Sequence, residues 1–396
     1  MLPDKSLFLK HLGQTSPEPM MLEIDRSEGS WLYASDGQRY LDLISGVSVS
    51  NIGHRHPAVI EAIRSQTDKY LHLMVYGEIV QSPQVRYASA LAEVLPPNLS
   101  VIYFVNSGSE AVEGAIKLAR RYSGRSEIIS FRNGYHGSTM GALSIQGSEK
   151  FKSAFRPLIP ETLTIRFNEP GSLSLISEKT AAVVVEPVQG EGGVVLPEGG
   201  FLNLLRERCD ETGALLVFDE IQTGFGRLGD LFAINKYGVI PDILLLAKAL
   251  GGGMPLGAFI SSVDIMSTLA ENPVLGHITT FGGHPVSCAA GHAALKIILE
   301  EQLHLKAADK GDQFRRCLNH KLIRNIRGEG LFLAVQLTRP ELVPDFIRMG
   351  IKNGLVLDYF LFCDDSFRIA PPLTISSEEI SYACDIILST LDQLNN

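Results

Sequence analysis

The sequence predicts an α/β protein with a mostly parallel central sheet, helices on both faces, and a smaller α+β part made from both ends of the chain. Short, almost wholly apolar and β-branched runs alternate with helical patterns through the middle of the chain, as strands buried on both faces do. Acidic, basic or glycine-rich turns follow several of these runs, at the strand ends where such sheets gather ligands. The first 45 or so residues and the stretch after about 285 differ in texture, with helical patterns and short strands such as Leu331–Leu337 and Phe367–Ala370.

The central strands are expected at Val101–Val105, Glu127–Phe131, Ala181–Val185, Ala214–Phe218 and Ile243–Ala247, and helices are expected to begin near Ser109, Gly200 and Pro285. A chain of 396 residues can bury a large core and divide into two domains. The changes of texture set the boundaries: 1–48 and 285–396 form the two parts of the small domain, and 49–284 form the large one. There is no internal repeat, low-complexity tract or long linker.

Composition narrows the function. With 45% hydrophobic and 20% charged residues the chain reads as an ordinary globular protein. A net charge of −9 gives no electrostatic reason to expect nucleic acid or an anionic membrane as partner, so small molecules are expected. The opening Met1-Leu2-Pro3-Asp4-Lys5-Ser6 lacks a basic segment leading into an apolar signal core, and a cytoplasmic protein is expected. The five cysteines, Cys209, Cys288, Cys317, Cys363 and Cys384, are scattered and form no Cys-x-x-Cys pair, which suits reduced packing residues. His54-x-His56 is followed by Pro57 with no nearby acid or thiol to complete a ligand set. No metal is expected there.

The chemistry is concentrated at strand ends. Lys248 follows the apolar run Ile243–Ala247 and precedes Gly251-Gly252-Gly253; an amine there, beside glycines that let a flat molecule come close, suits imine formation with a carbonyl. Asp219 ends the run Leu215–Phe218 and could face a ring nitrogen. Together they suggest pyridoxal 5′-phosphate (PLP). Val101–Val105 runs into Asn106-Ser107-Gly108-Ser109 and then a helical pattern through Arg120, so unpaired N–H groups, hydroxyls and the helix dipole could receive a phosphate. A plain capped helix, with Ser109 as a good cap residue, is the alternative. Asn133-Gly134-Tyr135-His136-Gly137 places an aromatic ring between glycines after another strand, where it could stack on a pyridine face or simply pack in a loop.

Two motifs point elsewhere. Leu215–Glu220 resembles the apolar run with Asp-Glu that holds magnesium in P-loop enzymes, but no phosphate-binding Gly-x-x-x-x-Gly-Lys-Ser/Thr loop occurs. Gly224-x-Gly226-x-x-Gly229 matches a dinucleotide fingerprint literally, yet Glu220–Thr223 separate it from the strand, whereas that fingerprint turns directly from strand into helix. A nicotinamide-dependent oxidoreductase rests on these glycines alone.

Leu216-Val217-Phe218-Asp219-Glu220-Ile221-Gln222-Thr223-Gly224-Phe225-Gly226-Arg227, the segment Asp242–Gly252 and Arg368-Ile369-Ala370-Pro371-Pro372-Leu373 give the chain a specific likeness. It resembles the class III PLP-dependent aminotransferases, the ω-aminotransferases that include acetylornithine, ornithine, 4-aminobutyrate and putrescine aminotransferases, over nearly its whole length. The resemblance implies the fold type I of PLP-dependent transferases. It implies that Lys248 bonds the PLP aldehyde, Asp219 pairs with the pyridine nitrogen, Gln222 approaches the ring hydroxyl and Tyr135 stacks on the ring. Ser107, Gly108 and Ser109 would bind phosphate, with His136 and Glu186 also at the cofactor. Thr280 matches a threonine that family members bring to the phosphate of the neighbouring subunit, so a homodimer with shared sites is implied. His284 stands where the family more often has Asn.

The resemblance also implies a ping-pong transfer to 2-oxoglutarate. Arg368 matches the arginine that grips an α-carboxylate, and Glu191 the glutamate that pairs with it when an ω-amine is bound; Val47, Ser138 and Thr279 also match substrate-binding positions. Acetylornithine and ornithine enzymes usually carry Arg where Ser138 stands, and ornithine δ-aminotransferases carry Tyr where Val47 stands. An acetylornithine- or ornithine-like ω-amino acid is the expected donor, with a diamine, another amine or 4-aminobutyrate as alternatives and an aminomutase as a rival on the same fold.

Overall fold

A computed structural model describes residues 4–395. Its centre is a seven-stranded sheet in the order Val101–Val105, Gly257–Ser261, Ile243–Leu246, Leu215–Asp219, Thr180–Val185, Glu127–Phe131, Thr162–Ile165. The last five of these run parallel, and Gly257–Ser261 runs antiparallel to both its neighbours. All five expected strands are present to within a residue or so. The sequence reading missed Gly257–Ser261, which follows the glycine-rich turn after Lys248, and Thr162–Ile165, which is flanked by loop residues. Thr180–Val185 and Ile243–Leu246 are buried at every position. That burial on both faces is why their sequences do not alternate.

Helices cover the sheet. Gly108–Ser123 packs one apolar face against the strands and ends on Gly124 in the left-handed conformation. Phe201–Thr212 begins after Gly200 and stops at Gly213 in the same way. Pro285–Glu300 lies against helices Pro57–Thr67 and Ser82–Val94 and against the turn that follows Lys248. His284 accepts a hydrogen bond from the Val286 N–H at 3.3 Å through its ring nitrogen, so it caps this helix in the manner of the Asn it replaces. His54 and His56 take separate partners: His54 meets Asp42 at 2.8 Å and His56 caps Pro57–Thr67.

Two small sheets flank the large one. In the first, Ile24–Glu28, Trp31–Ala34 and Arg39–Asp42 are extended by Leu355–Val356 from the other end of the chain. The second contains Ile323–Glu329, Phe332–Leu337 and Ser366–Ile369. Arg227, wholly buried, ties the parts together by donating to the carbonyls of Leu331 and Pro371 and to the side chains of Ser45 and Asn51. Among the described residues no helix is long and apolar enough to cross a membrane.

Candidate active site

The ends of five strands converge on one cavity of about 380 Å³, within the size range of small-molecule sites. Its walls include Ser107, Gly108, Ser109, Tyr135, His136, Glu186, Asp219, Gln222 and Lys248. These positions lie as far as 141 apart in sequence, Ser107 to Lys248. The sheet brings them together because each follows a strand whose carboxyl end points the same way.

At one end the strand Val101–Val105 turns into the helix Gly108–Ser123. Ser107, not Ser109, is the cap: its hydroxyl accepts from the Glu110 N–H at 3.2 Å. The Ser109 hydroxyl is left facing the next turn, where the Ser138 N–H approaches it at 3.3 Å. Gly257 allows this turn to sit down on the sheet, since a Cβ there would lie 2.6 Å from the Ser107 carbonyl carbon. First-turn N–H groups, two serine hydroxyls and the positive end of a 16-residue helix make a cradle for a phosphate.

Across the cavity Asp219 ends its strand with 3% of its surface exposed. One carboxylate oxygen meets His136 Nδ1 at 2.7 Å and the other accepts from the Ile221 N–H at 3.1 Å. Burial pulls the His136 imidazole down, but the hydrogen bond and charge of Asp219, with Glu186 beyond, raise it overall. Glu186 accepts from the N–H groups of Tyr135 and Gly190 at 2.7 and 2.8 Å, while burial pushes its carboxyl up to about 7. Gln222 Nε2 is buried without a partner. An unpaired buried donor of this kind is costly, and it fits a site that receives an oxygen from a ligand.

Lys248 opens a short turn directly after the strand Ile243–Leu246 and Ala247, with φ at +50°. A non-glycine residue in the left-handed region carries backbone strain of about 1–3 kcal/mol, and such strain clusters at functional sites. Burial lowers the pKa of its ammonium group; Arg368 adds to that, and Glu191, Asp219 and Glu186 oppose it. A lysine so placed holds more of the neutral amine that attacks a carbonyl. Amine, carboxylate, orphaned amide and anion cradle together fit PLP.

Arg368 and Glu191 form a second cluster. Arg368 is 1% exposed and its Nη2 donates to Glu191 Oε1 at 2.7 Å. Glu191 is also held by the backbone, since the Leu361 N–H donates to its Oε2 at 3.0 Å and the Phe362 N–H to its carbonyl at 3.0 Å. Asp358 stands 3.6 Å from Arg368 Nε, and the guanidinium lies over the Phe360 ring at 4.6 Å. Sequence reasoning missed this contribution of 358–361, although an acid inside Gly354-Leu355-Val356-Leu357-Asp358-Tyr359-Phe360-Leu361-Phe362 was a signal.

The remaining expected positions lie outside the cavity wall. Ser138 is exposed, its hydroxyl 3.4 Å from that of Tyr135. Val47 belongs to the run Ser45–Ser48, all four with positive φ, and Val49 rather than Val47 lines the cavity. Thr279 accepts from Asn106 Nδ2 at 3.0 Å. Thr280 is exposed, its carbonyl 2.8 Å from His72 Nε2. The glycines at 224, 226 and 229 open no helix: Gly226 packs against His304 and Leu373, and the next helix is Ala233–Tyr237. That removes the basis for a nicotinamide site.

Comparison with known proteins gives the family. The family model for class III aminotransferases matches residues 13–391, and the chain belongs to that family. It is a PLP-dependent transaminase of fold type I, with PLP as its cofactor. It is 41% identical over 361 residues to an acetylornithine aminotransferase of Methanopyrus kandleri, covering 90% of each chain. Among solved structures it is similar to the ornithine aminotransferase of Toxoplasma gondii, reported with PLP at its active site (TM-score 0.91, 31% identity, 98% of this chain and 93% of that one). A thermostable (S)-enantioselective ω-transaminase of Thermomicrobium roseum has a TM-score of 0.91 at 32% identity, with 100% of both chains covered. The coarse activity is therefore that of an ω-aminotransferase.

Proposed function

We infer that the protein moves the terminal amino group of an ω-amino acid of the acetylornithine or ornithine type to 2-oxoglutarate, in a ping-pong cycle that uses one pocket for both substrates. The observation that carries this is the buried Arg368–Glu191 pair at 2.7 Å, close enough to Lys248 to act on its charge. A guanidinium suits a planar carboxylate. Nη1, buried with no partner, remains available to one. With Glu191 in place the arginine is neutralised and an ω-amine end can lie beside it; with Glu191 displaced it can take the α-carboxylate of the oxo acid.

PLP, when bound, supplies an aldehyde that bonds amines and a cationic ring that withdraws electrons from the carbon losing a proton. Lys248 would hold it covalently, with Ser107, Gly108 and Ser109 at the phosphate, Asp219 at the ring nitrogen, Gln222 at the ring hydroxyl and Tyr135 on its face. His136 and the Ile221 N–H fix the Asp219 carboxylate from both oxygens. Once the donor amine has displaced it from the aldehyde, Lys248 Nζ, its pKa lowered by burial, would take and return the substrate's proton as base and acid.

The same reading makes the protein a cytoplasmic homodimer. Its five cysteines are all free, as a reducing compartment favours. Leu71, Leu73, Ile79 and Val80, the last 90% exposed, and Val274, Leu275, Ile278 and Phe281 present apolar surface, joined where the His72 ring lies tilted against that of Phe281 at 4.9 Å. Such a surface suits a partner. Thr280 lies within it and would reach the phosphate of a second copy. The domain division 1–48, 49–284 and 285–396 is part of this proposal, supported by the pairing of Leu355–Val356 with Arg39–Asp42 across the chain ends.

A second donor class has its own support. Ser138, exposed where relatives of the acetylornithine type usually carry Arg, offers no cation to a remote carboxylate, which favours a diamine, a neutral amine or an amino acid anchored elsewhere, with 4-aminobutyrate a candidate only in that last sense. Glutamate formation from 2-oxoglutarate with acetylornithine, ornithine, 4-aminobutyrate, lysine and putrescine tests the proposal. Activity with the ω-amino acids is expected, with loss in Lys248→Ala and borohydride-fixed label on Lys248; activity confined to diamines overturns the donor, and no glutamate at all points to the aminomutase.

A further inference from the structure

The segment 358–361 brings three contacts to the arginine cluster that the transfer reaction does not by itself require. Phe360 lies under the guanidinium, Leu361 fixes Glu191 through its backbone N–H, and Asp358 faces Nε. The 3.6 Å separation of Asp358 Oδ1 from Arg368 Nε is too long for a hydrogen bond. Asp358 Oδ1 and Arg368 Nε and Nη1 are all buried and unpartnered. A carboxylate docks side-on across Nε and Nη2, the edge whose Nη2 is held by Glu191, and Asp358 borders that edge at Nε.

We propose that Asp358 determines which anions Arg368 accepts: when ionised it repels a carboxylate arriving at the Nε and Nη2 edge as Glu191 withdraws, and when protonated it donates a hydrogen bond to it. This rests on the reading of Arg368 as the carboxylate anchor and goes beyond the exchange with Glu191, because it places a second acid beside the same cation. Burial raises the Asp358 carboxyl to about 6, opposed by Arg368 and Lys248 and reinforced by Glu191 and by Asp42, which is itself paired with His54. Those are the charged groups facing it from the strand Ser366–Ile369, the turns after Thr180–Val185 and Ile243–Leu246, and the strand Arg39–Asp42. Dicarboxylate affinity then falls as pH rises through this range, since binding takes up a proton.

Calorimetric titration of the PLP-loaded enzyme with glutarate, an unreactive dicarboxylate, tests this without turnover. If only the protonated form binds, a pKa of about 6 weakens glutarate about fivefold between pH 6 and pH 7 in the natural protein. Asp358→Asn, which keeps the size and removes the charge, binds about tenfold more tightly at pH 7 by the same arithmetic and loses that part of the slope. Glu186, also titrating near 7, is common to both proteins, so the difference between the slopes isolates Asp358. Equal affinities and equal slopes overturn the proposal and leave the aminotransferase reading intact. No glutarate binding at any pH overturns the carboxylate anchor and this proposal with it. Should Asp358→Asn fail to fold, a flat profile in the natural protein still refutes the idea.

Discussion

Gly137→Ala probes the phosphate cradle from the side opposite its helix. Gly137 has φ at +126°, a conformation that favours glycine, and a Cβ added there would overlap the Ser109 hydroxyl and lie 2.9 Å from Ser109 Cβ and 3.1 Å from its Cα. Rotation of the hydroxyl cannot relieve a clash that includes the backbone of the first helical turn. Strain at this φ costs about 1–3 kcal/mol and overpacking about another 1–3 kcal/mol, so unfolding free energy falls by about 2–6 kcal/mol. Loss of one hydrogen bond to a phosphate, about 1.5–3 kcal/mol, weakens PLP roughly ten- to hundredfold. Gly124→Ala separates the two effects. Gly124 ends the same helix at φ +68° with nothing within 4 Å of the added atom, so it costs about 1 kcal/mol of stability and leaves PLP affinity alone. Denaturant unfolding of the apoenzyme and a PLP titration by absorbance measure both quantities. Unchanged PLP affinity in Gly137→Ala, or an equal loss in Gly124→Ala, refutes the placement of Ser109 in the cradle.

Two further substitutions test the supports of Asp219 and its neighbour. His136→Phe fills the same buried space but removes the 2.7 Å bond to Asp219; a lost charge-assisted bond of about 1.5–3 kcal/mol lowers kcat roughly ten- to hundredfold. KM for 2-oxoglutarate should hold, because Arg368 is untouched, and an unchanged kcat would end the positioning role assigned to His136. Glu220 accepts from the N–H groups of Ala233 and Ile234 at 2.6 and 3.0 Å and from the Thr223 hydroxyl at 3.2 Å while wholly buried. Glu220→Ala orphans these donors and costs about 3 kcal/mol of stability, read by denaturant unfolding; a loss below ~1 kcal/mol would show that the helix Ala233–Tyr237 does not depend on this cap.

The sequence by itself determined the local chemistry. Apolar β-branched runs, glycine turns and a lysine and an acid at strand ends are features of contiguous residues, and local pattern fixes strand and helix identity. The central sheet, five of its seven strands and several residues of the cavity wall were legible for that reason. Tertiary structure decided what depends on residues far apart in the chain. Ser107 rather than Ser109 caps the helix because the start of the turn is set by where the strand meets Gly257. Val49 lines the cavity because the run Ser45–Ser48 turns left-handed. Glu220, which looked like half of a magnesium site, became a helix cap. Glu191 reached Arg368, 177 positions further along, only in the folded chain. Side-chain type is written in the chain, but which charges share a desolvated space is set by packing, and the energy of a buried charge depends on that neighbourhood far more than on its own identity.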